Sequence, residues 1–170
     1  MNAKLDRWNA LPAQEAVGEI LPCCGSDTWA AGMVSRRPIQ DETSLLTVAD
    51  EIWAHLEERD WLEAFRSHPR IGDSRAAKTV APQSSSWSAR EQEKAASRDE
   101  TLMTELRNGN LAYERKFGRI FIVCATGKSA GEILEILRHR LDNDEATELQ
   151  LAREEQRKIM QLRLKKWLAQ

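Results

Sequence analysis

Apolar residues recur along most of this chain at the spacing of an α-helix. Leu45, Ala49, Ile52 and Leu56 fall at i, i+4, i+7 and i+11, with Leu46 and Trp53 widening the stripe. That pattern predicts one amphipathic helix. Pro38 lies ahead of it and would stop an earlier helix running through Trp29, Met33 and Val34. A third stripe runs Leu102, Leu106, Tyr113, Phe117, weakened by Gly109. A fourth runs Ala130, Leu134, Leu137, Leu141, and the last carries Leu149, Ala152, Ile159, Met160 and Trp167. Ser88-Ala-Arg-Glu91 and Ser129-Ala-Gly-Glu132 both have the spacing of a capping box, so each is expected to open a helix.

Only Phe121-Ile-Val-Cys-Ala125 looks like a strand, and one short strand cannot make a sheet. The stretch 120–125 is therefore expected to be an extended connector crossing a helical core. Ser67 to Ser88 holds Pro69, Gly72, Pro82 and a serine run, and is expected to be the longest loop. The expected fold is all-α: a single-domain helical bundle over residues 1–170.

Composition narrows the classes. The chain has 170 residues, 41% of them hydrophobic and 31% charged, which is a soluble globular mixture. A net charge of −2 gives no electrostatic argument for nucleic acid. The longest notable apolar stretch, Ile120 to Ala125, is far too short to cross a bilayer. Three cysteines, Cys23, Cys24 and Cys124, make an odd set without a Cys-x-x-Cys pair, which fits a reducing cytosol. The chain ends Leu168-Ala169-Gln170 rather than in a peroxisomal address.

Four features could carry chemistry. His68 in His68-Pro69-Arg70-Ile71-Gly72 can exchange protons near neutrality, and Pro69 biases it toward extended backbone just after a helix ending near Arg66. The plainer reading of the local sequence is a surface loop histidine. Ser88 and Glu91 could be no more than a cap, or could use a helix N-terminus to hold an anion. Arg163 follows Ile159 by four and precedes Trp167 by four, so it sits on the apolar stripe of the last helix. Its guanidinium either snorkels to water or points into a pocket. Gly127-Lys128-Ser129 imitates a phosphate loop, but Ile122 stands where that motif needs glycine. A metal site is poorly supported, since His55, His68 and His139 show no ligand spacing and Cys23-Cys24 is vicinal. The charged run from Arg90 to Glu100 reads as a solvated helix face.

Taken in order, several segments resemble the 2-oxo-4-hydroxy-4-carboxy-5-ureidoimidazoline (OHCU) decarboxylases. They are Cys24-Gly25-Ser26 with Trp29, Arg37-Pro38, His68-Pro69-Arg70-Ile71-Gly72, and Ser88-x-x-Glu91-Gln92. Then follow Lys116-Phe117-Gly118, Phe121-Ile-Val-Cys-Ala125 and Leu162-Arg163-Leu164. Each piece is weak alone, but the ordered set spans almost the whole chain. The resemblance implies an all-helical, typically dimeric enzyme of uric acid breakdown that uses no metal or organic cofactor. It implies His68 as the catalytic acid/base and Glu91 as its partner carboxylate. It implies that Pro69, Ser88, Gln92 and Arg163 meet a small ureide substrate, together with backbone groups of Phe121, Ile122, Val123, Cys124 and Ala125. Partners such as nucleic acid or a membrane are not implied, and the missing peroxisomal address fits a bacterial cytoplasmic enzyme. One departure stands out: after Glu91-Gln92 the family often has small residues, and here Glu93 and Lys94 follow. The rival readings are a non-catalytic helical module, binding a ureide or another protein, and a hydrolase acting on the same compounds without release of CO2.

Overall fold

The computed structural model describes residues 2–72, 82–93 and 99–170. Among them are nine helices: α1 (Ala3–Ala10), α2 (Ala13–Cys24), α3 (Asp27–Ser35), α4 (Glu42–His55), α5 (Glu58–Arg66), α6 (Pro82–Glu91), α7 (Glu100–Phe117), α8 (Ala130–Leu141) and α9 (Glu145–Leu168). No strand occurs among the described residues, so the all-α expectation holds. Two helices, α1 and α2, precede the apolar stripes read from the sequence. Asn2 caps the first by accepting from the Lys4 and Leu5 amides, and Gly25, at φ 87°, closes the second. Ser26 then caps α3 by accepting from the Trp29 amide at 3.2 Å.

The chain divides into two compact units. The first comprises residues 1–64 and 157–170, the second residues 65–156. Four tryptophans, Trp8, Trp29, Trp53 and Trp167, are almost wholly buried in the first. Trp8 and Trp167 meet edge to face with centroids 5.9 Å apart, an arrangement favoured by the ring quadrupoles. In the second, Ile71, Leu106, Tyr113, Phe117, Phe121, Val123, Ile133 and Leu137 form the core. Gly109 does not break α7, because the missing side chain lets α8 approach closely. A Cβ there would lie 2.6 Å from Leu137 Cδ2, so the conformational cost of glycine is offset by helix packing.

Two expectations about helix ends part ways here. Ser129 and Glu132 form a complete capping box at the start of α8. Ser88 and Glu91 do not: α6 begins at Pro82, and both residues lie in its last turn. Proline suits a first helical turn, where a missing N–H removes no intrahelical bond. Part of the expected Ser67–Ser88 loop is therefore helical from Pro82 on, and residues 73–81 lie outside the described residues. The run Arg90 to Glu100 is not one solvated face either. It contains the end of α6 with buried Glu91 and the Asp99 cap of α7.

Candidate active site

His68 follows α5 directly, its amide bonding the Phe65 carbonyl at 3.2 Å. The residue is half-buried, and its Nε2 is shut off from solvent. Three contacts pin the loop that carries it. Arg70 forms a two-pronged ion pair with Glu114 of α7, with Nη2 to Oε2 at 2.7 Å. Asn110 of α7 donates its Nδ2 to the Ile71 carbonyl at 3.1 Å. The Gly72 amide donates to Gln92 Oε1 at 3.4 Å. Gly72 itself has φ 77° and a side chain there would press on Met103 and Leu106, so only glycine closes this turn without strain. Pro69 is buried in the same loop.

The end of α6 supplies the next group. Ser88 and Glu91 stand three residues apart and so share a helix face. They are 2% and 8% exposed, which matters because a buried carboxylate needs a chemical or structural reason. Gln92 links this turn to the His68 loop through the Gly72 contact. The anion-binding reading of Ser88 and Glu91 fails on geometry: they lie at the negative end of the helix dipole, not at its N-terminus. Of the two residues that depart from the family pattern, Glu93 is exposed, and Lys94 lies outside the described residues.

Residues 121–125 form the connector. Phe121, Val123 and Ala125 enter the core of this unit, while Ile122 and Cys124 are buried outside that cluster. Such alternation is the signature of extended backbone. The Cys124 thiol is pushed above its ordinary range, first by burial, with Lys128 opposing and Glu155 and Glu91 adding to the rise. Glu91 thus lies close enough to the connector to act on it electrostatically.

Arg163 belongs to the first unit. It is fully buried, which removes the snorkelling option. Nη1 donates to the Pro22 carbonyl in the last turn of α2 at 3.2 Å. A cation suits that carbonyl-rich end of a helix.

Sequence reasoning overlooked the groups that hold the loop and the connector. Asn110 and Glu114 brace the His68 loop, and Arg140 reaches the Ile122 carbonyl at 2.5 Å. A signal was available for two of them. Asn110 falls between Leu106 and Tyr113 on the apolar stripe of α7, and Arg140 follows Leu137 by three on α8. A polar residue at a core position asks for a partner. Among the described residues no group of three or more His, Cys, Asp or Glu could hold a metal ion. No helix among them is long and apolar enough to cross a membrane.

The family model for OHCU decarboxylase matches residues 9–165. An Arabidopsis thaliana protein described as "Uric acid degradation bifunctional protein TTL" is 36% identical over 152 residues, covering 85% of this chain and 44% of its own length. The chain therefore spans under half of that relative. An Amia calva protein, "2-oxo-4-hydroxy-4-carboxy-5-ureidoimidazoline decarboxylase", is 47% identical over 55 residues, covering 32% of this chain and 31% of its own. A crystal structure of an OHCU decarboxylase in the presence of (S)-allantoin superposes with a TM-score of 0.76 at 34% identity, covering 89% of this chain and 98% of that one.

Proposed function

The chain belongs to the OHCU decarboxylase family, and from that premise we propose that it decarboxylates 2-oxo-4-hydroxy-4-carboxy-5-ureidoimidazoline to (S)-allantoin, with His68 and Glu91 at its chemical centre. The observation that carries the reading is the bond from the Gly72 amide to Gln92. It ties the histidine loop to the helix end that buries Ser88 and Glu91.

In this reading the substrate's carboxylate sits on a carbon that also bears a hydroxyl and adjoins carbonyl and imine groups. When the C–C bond to the carboxylate breaks, its electron pair passes into those groups and CO2 leaves. A proton must then reach one face of the resulting enolate-like intermediate. His68 delivers it, and Glu91 orients or charges the imidazole; such acid/base help is typically worth about 10²–10⁴ in rate. Pro69, Ser88, Gln92 and backbone of 121–125 hold the ureide, whose N–H and C=O groups suit an extended peptide. The resemblance also assigns Arg163 to substrate binding, where a planar, permanently charged fork matches a carboxylate. No metal or organic cofactor enters this scheme. Residues 1–170 act as one such domain, in a cytoplasmic homodimer; the continuous family match across both units supports the first point.

The test follows circular dichroism of allantoin while uricase and the preceding hydrolase generate substrate in place. The expected result is fast growth of the (S)-allantoin signal with this protein and its loss in His68→Asn. Slow, optically inactive product at the spontaneous rate would leave a binding module, and a ring-opened product without CO2 would leave a hydrolase.

A further inference from the structure

We infer that Arg140, Lys128 and Glu155 are positioning residues that hold the connector by one edge and thereby present its other edge to the ligand. This rests on the reading that 121–125 meets the substrate. In extended backbone, the N–H and C=O of one residue point to the side opposite those of its neighbours. The even-numbered edge is taken up by charged side chains. Arg140 Nη1 donates to the Ile122 carbonyl at 2.5 Å. Glu155 Oε2 accepts the Cys124 amide at 2.7 Å, and Lys128 Nζ donates to the Cys124 carbonyl at 2.7 Å. These grips come from α8, α9 and the turn before α8, so the connector cannot slide or rotate without breaking several charge-assisted bonds.

Arg140 is itself immobilised. Its Nε donates to Glu148 Oε1 at 2.8 Å, and Glu148, fully buried, also accepts from the Tyr113 hydroxyl. The Arg140 guanidinium lies 4.7 Å from the Phe121 ring centroid. On the odd-numbered edge the Ala125 carbonyl accepts the Lys128 amide at 2.9 Å, but Val123 is different. Val123 is buried, and among the described residues its N–H and C=O make no hydrogen bond. A buried peptide group left open in this way is rare unless something binds it. The adjacent N–H and C=O of a ureide are complementary to it. The Gly127-Lys128-Ser129 motif thus acquires a use unrelated to phosphate: its lysine clamps the connector, and its serine caps α8.

The experiment pairs Glu155→Ala with Glu155→Gln and measures kcat and KM across pH. Glutamine still offers an oxygen to the Cys124 amide, so it should recover most of a roughly tenfold or larger fall in kcat/KM caused by alanine. The pH profile should stay that of the wild type in both. Wild-type kcat/KM in Glu155→Ala, or a glutamine variant as poor as alanine, would overturn the inference, the latter because it would make the charge essential. Amide hydrogen exchange reads the same clamp without turnover. Exchange at Cys124 should accelerate at least tenfold in Glu155→Ala while α7 amides stay unchanged, and unaltered exchange would overturn the clamp even if the wild type makes no (S)-allantoin. If Glu155→Ala does not fold, Lys128→Met takes its place, with the same expected fall and the same overturning result.

Discussion

Ser88-x-x-Glu91 and Ser129-x-x-Glu132 carry the same pair of residues at the same spacing, and they end up at opposite ends of their helices. Ser129 accepts the Glu132 amide at 3.3 Å, and Glu132 reaches back to the Ser129 amide at 2.7 Å. Ser88 and Glu91 sit in the last turn of α6, buried. A capping box stabilises by satisfying amides that a helix leaves open at its start. Six residues before Ser88 stands a proline that opens the helix earlier, and no such residue precedes Ser129. The box motif is therefore a conditional signal.

The contrast can be broken by substitution. The largest expected effect is at Glu91: Glu91→Gln should lower kcat by about 10²–10⁴, the usual worth of an acid/base partner, with little change in Tm. A variant that melts early yet keeps full specific activity would make Glu91 structural. Arg163→Lys should follow, raising KM because a point charge cannot replace the planar fork; an unchanged KM would leave Arg163 as a helix-end ligand of Pro22. Ser129→Ala should do the reverse of Glu91→Gln, costing about 1 kcal/mol of stability, as a lost N-cap does, with specific activity intact. Thermal melts beside initial rates check both sides of this comparison.

The smallest effect concerns a third helix start. Asp144 accepts the Thr147 amide at 2.8 Å, and that bond holds its carboxyl below the usual carboxylate range. A folded-state pKa lowered in this way contributes stability above the ordinary carboxylate pKa. The contribution is lost as pH falls through the depressed value. Wild-type Tm should therefore drop more steeply than that of Asp144→Asn in this acid window. Parallel acid melts would sink the idea.

Much of the candidate site was legible as motifs in the chain because its pieces are local. His68-Pro69 follows a helix end, and proline's effect on the preceding residue is a nearest-neighbour property. Gly72 needs its positive φ for the same kind of reason. The supports were harder to see because each joins distant positions. Arg70 finds Glu114, Asn110 finds the Ile71 carbonyl, and Glu155 finds the Cys124 amide. Nothing within a single helical turn specifies those pairings.

By itself the sequence determined the helical stripes from α3 and α4 through α7 to α9, the cap of α8, the connector at 121–125 and the ordered motifs of a family. All of these rest on spacing along one segment or on neighbouring residues. Only the tertiary structure decided that Ser88 and Glu91 end a helix, that Arg163 is buried against Pro22, and that charged side chains grip one edge of the connector. These outcomes depend on which surfaces meet. Burial turns a tolerated surface charge into a group that must find a partner, and that partner is chosen by packing rather than by proximity in the chain.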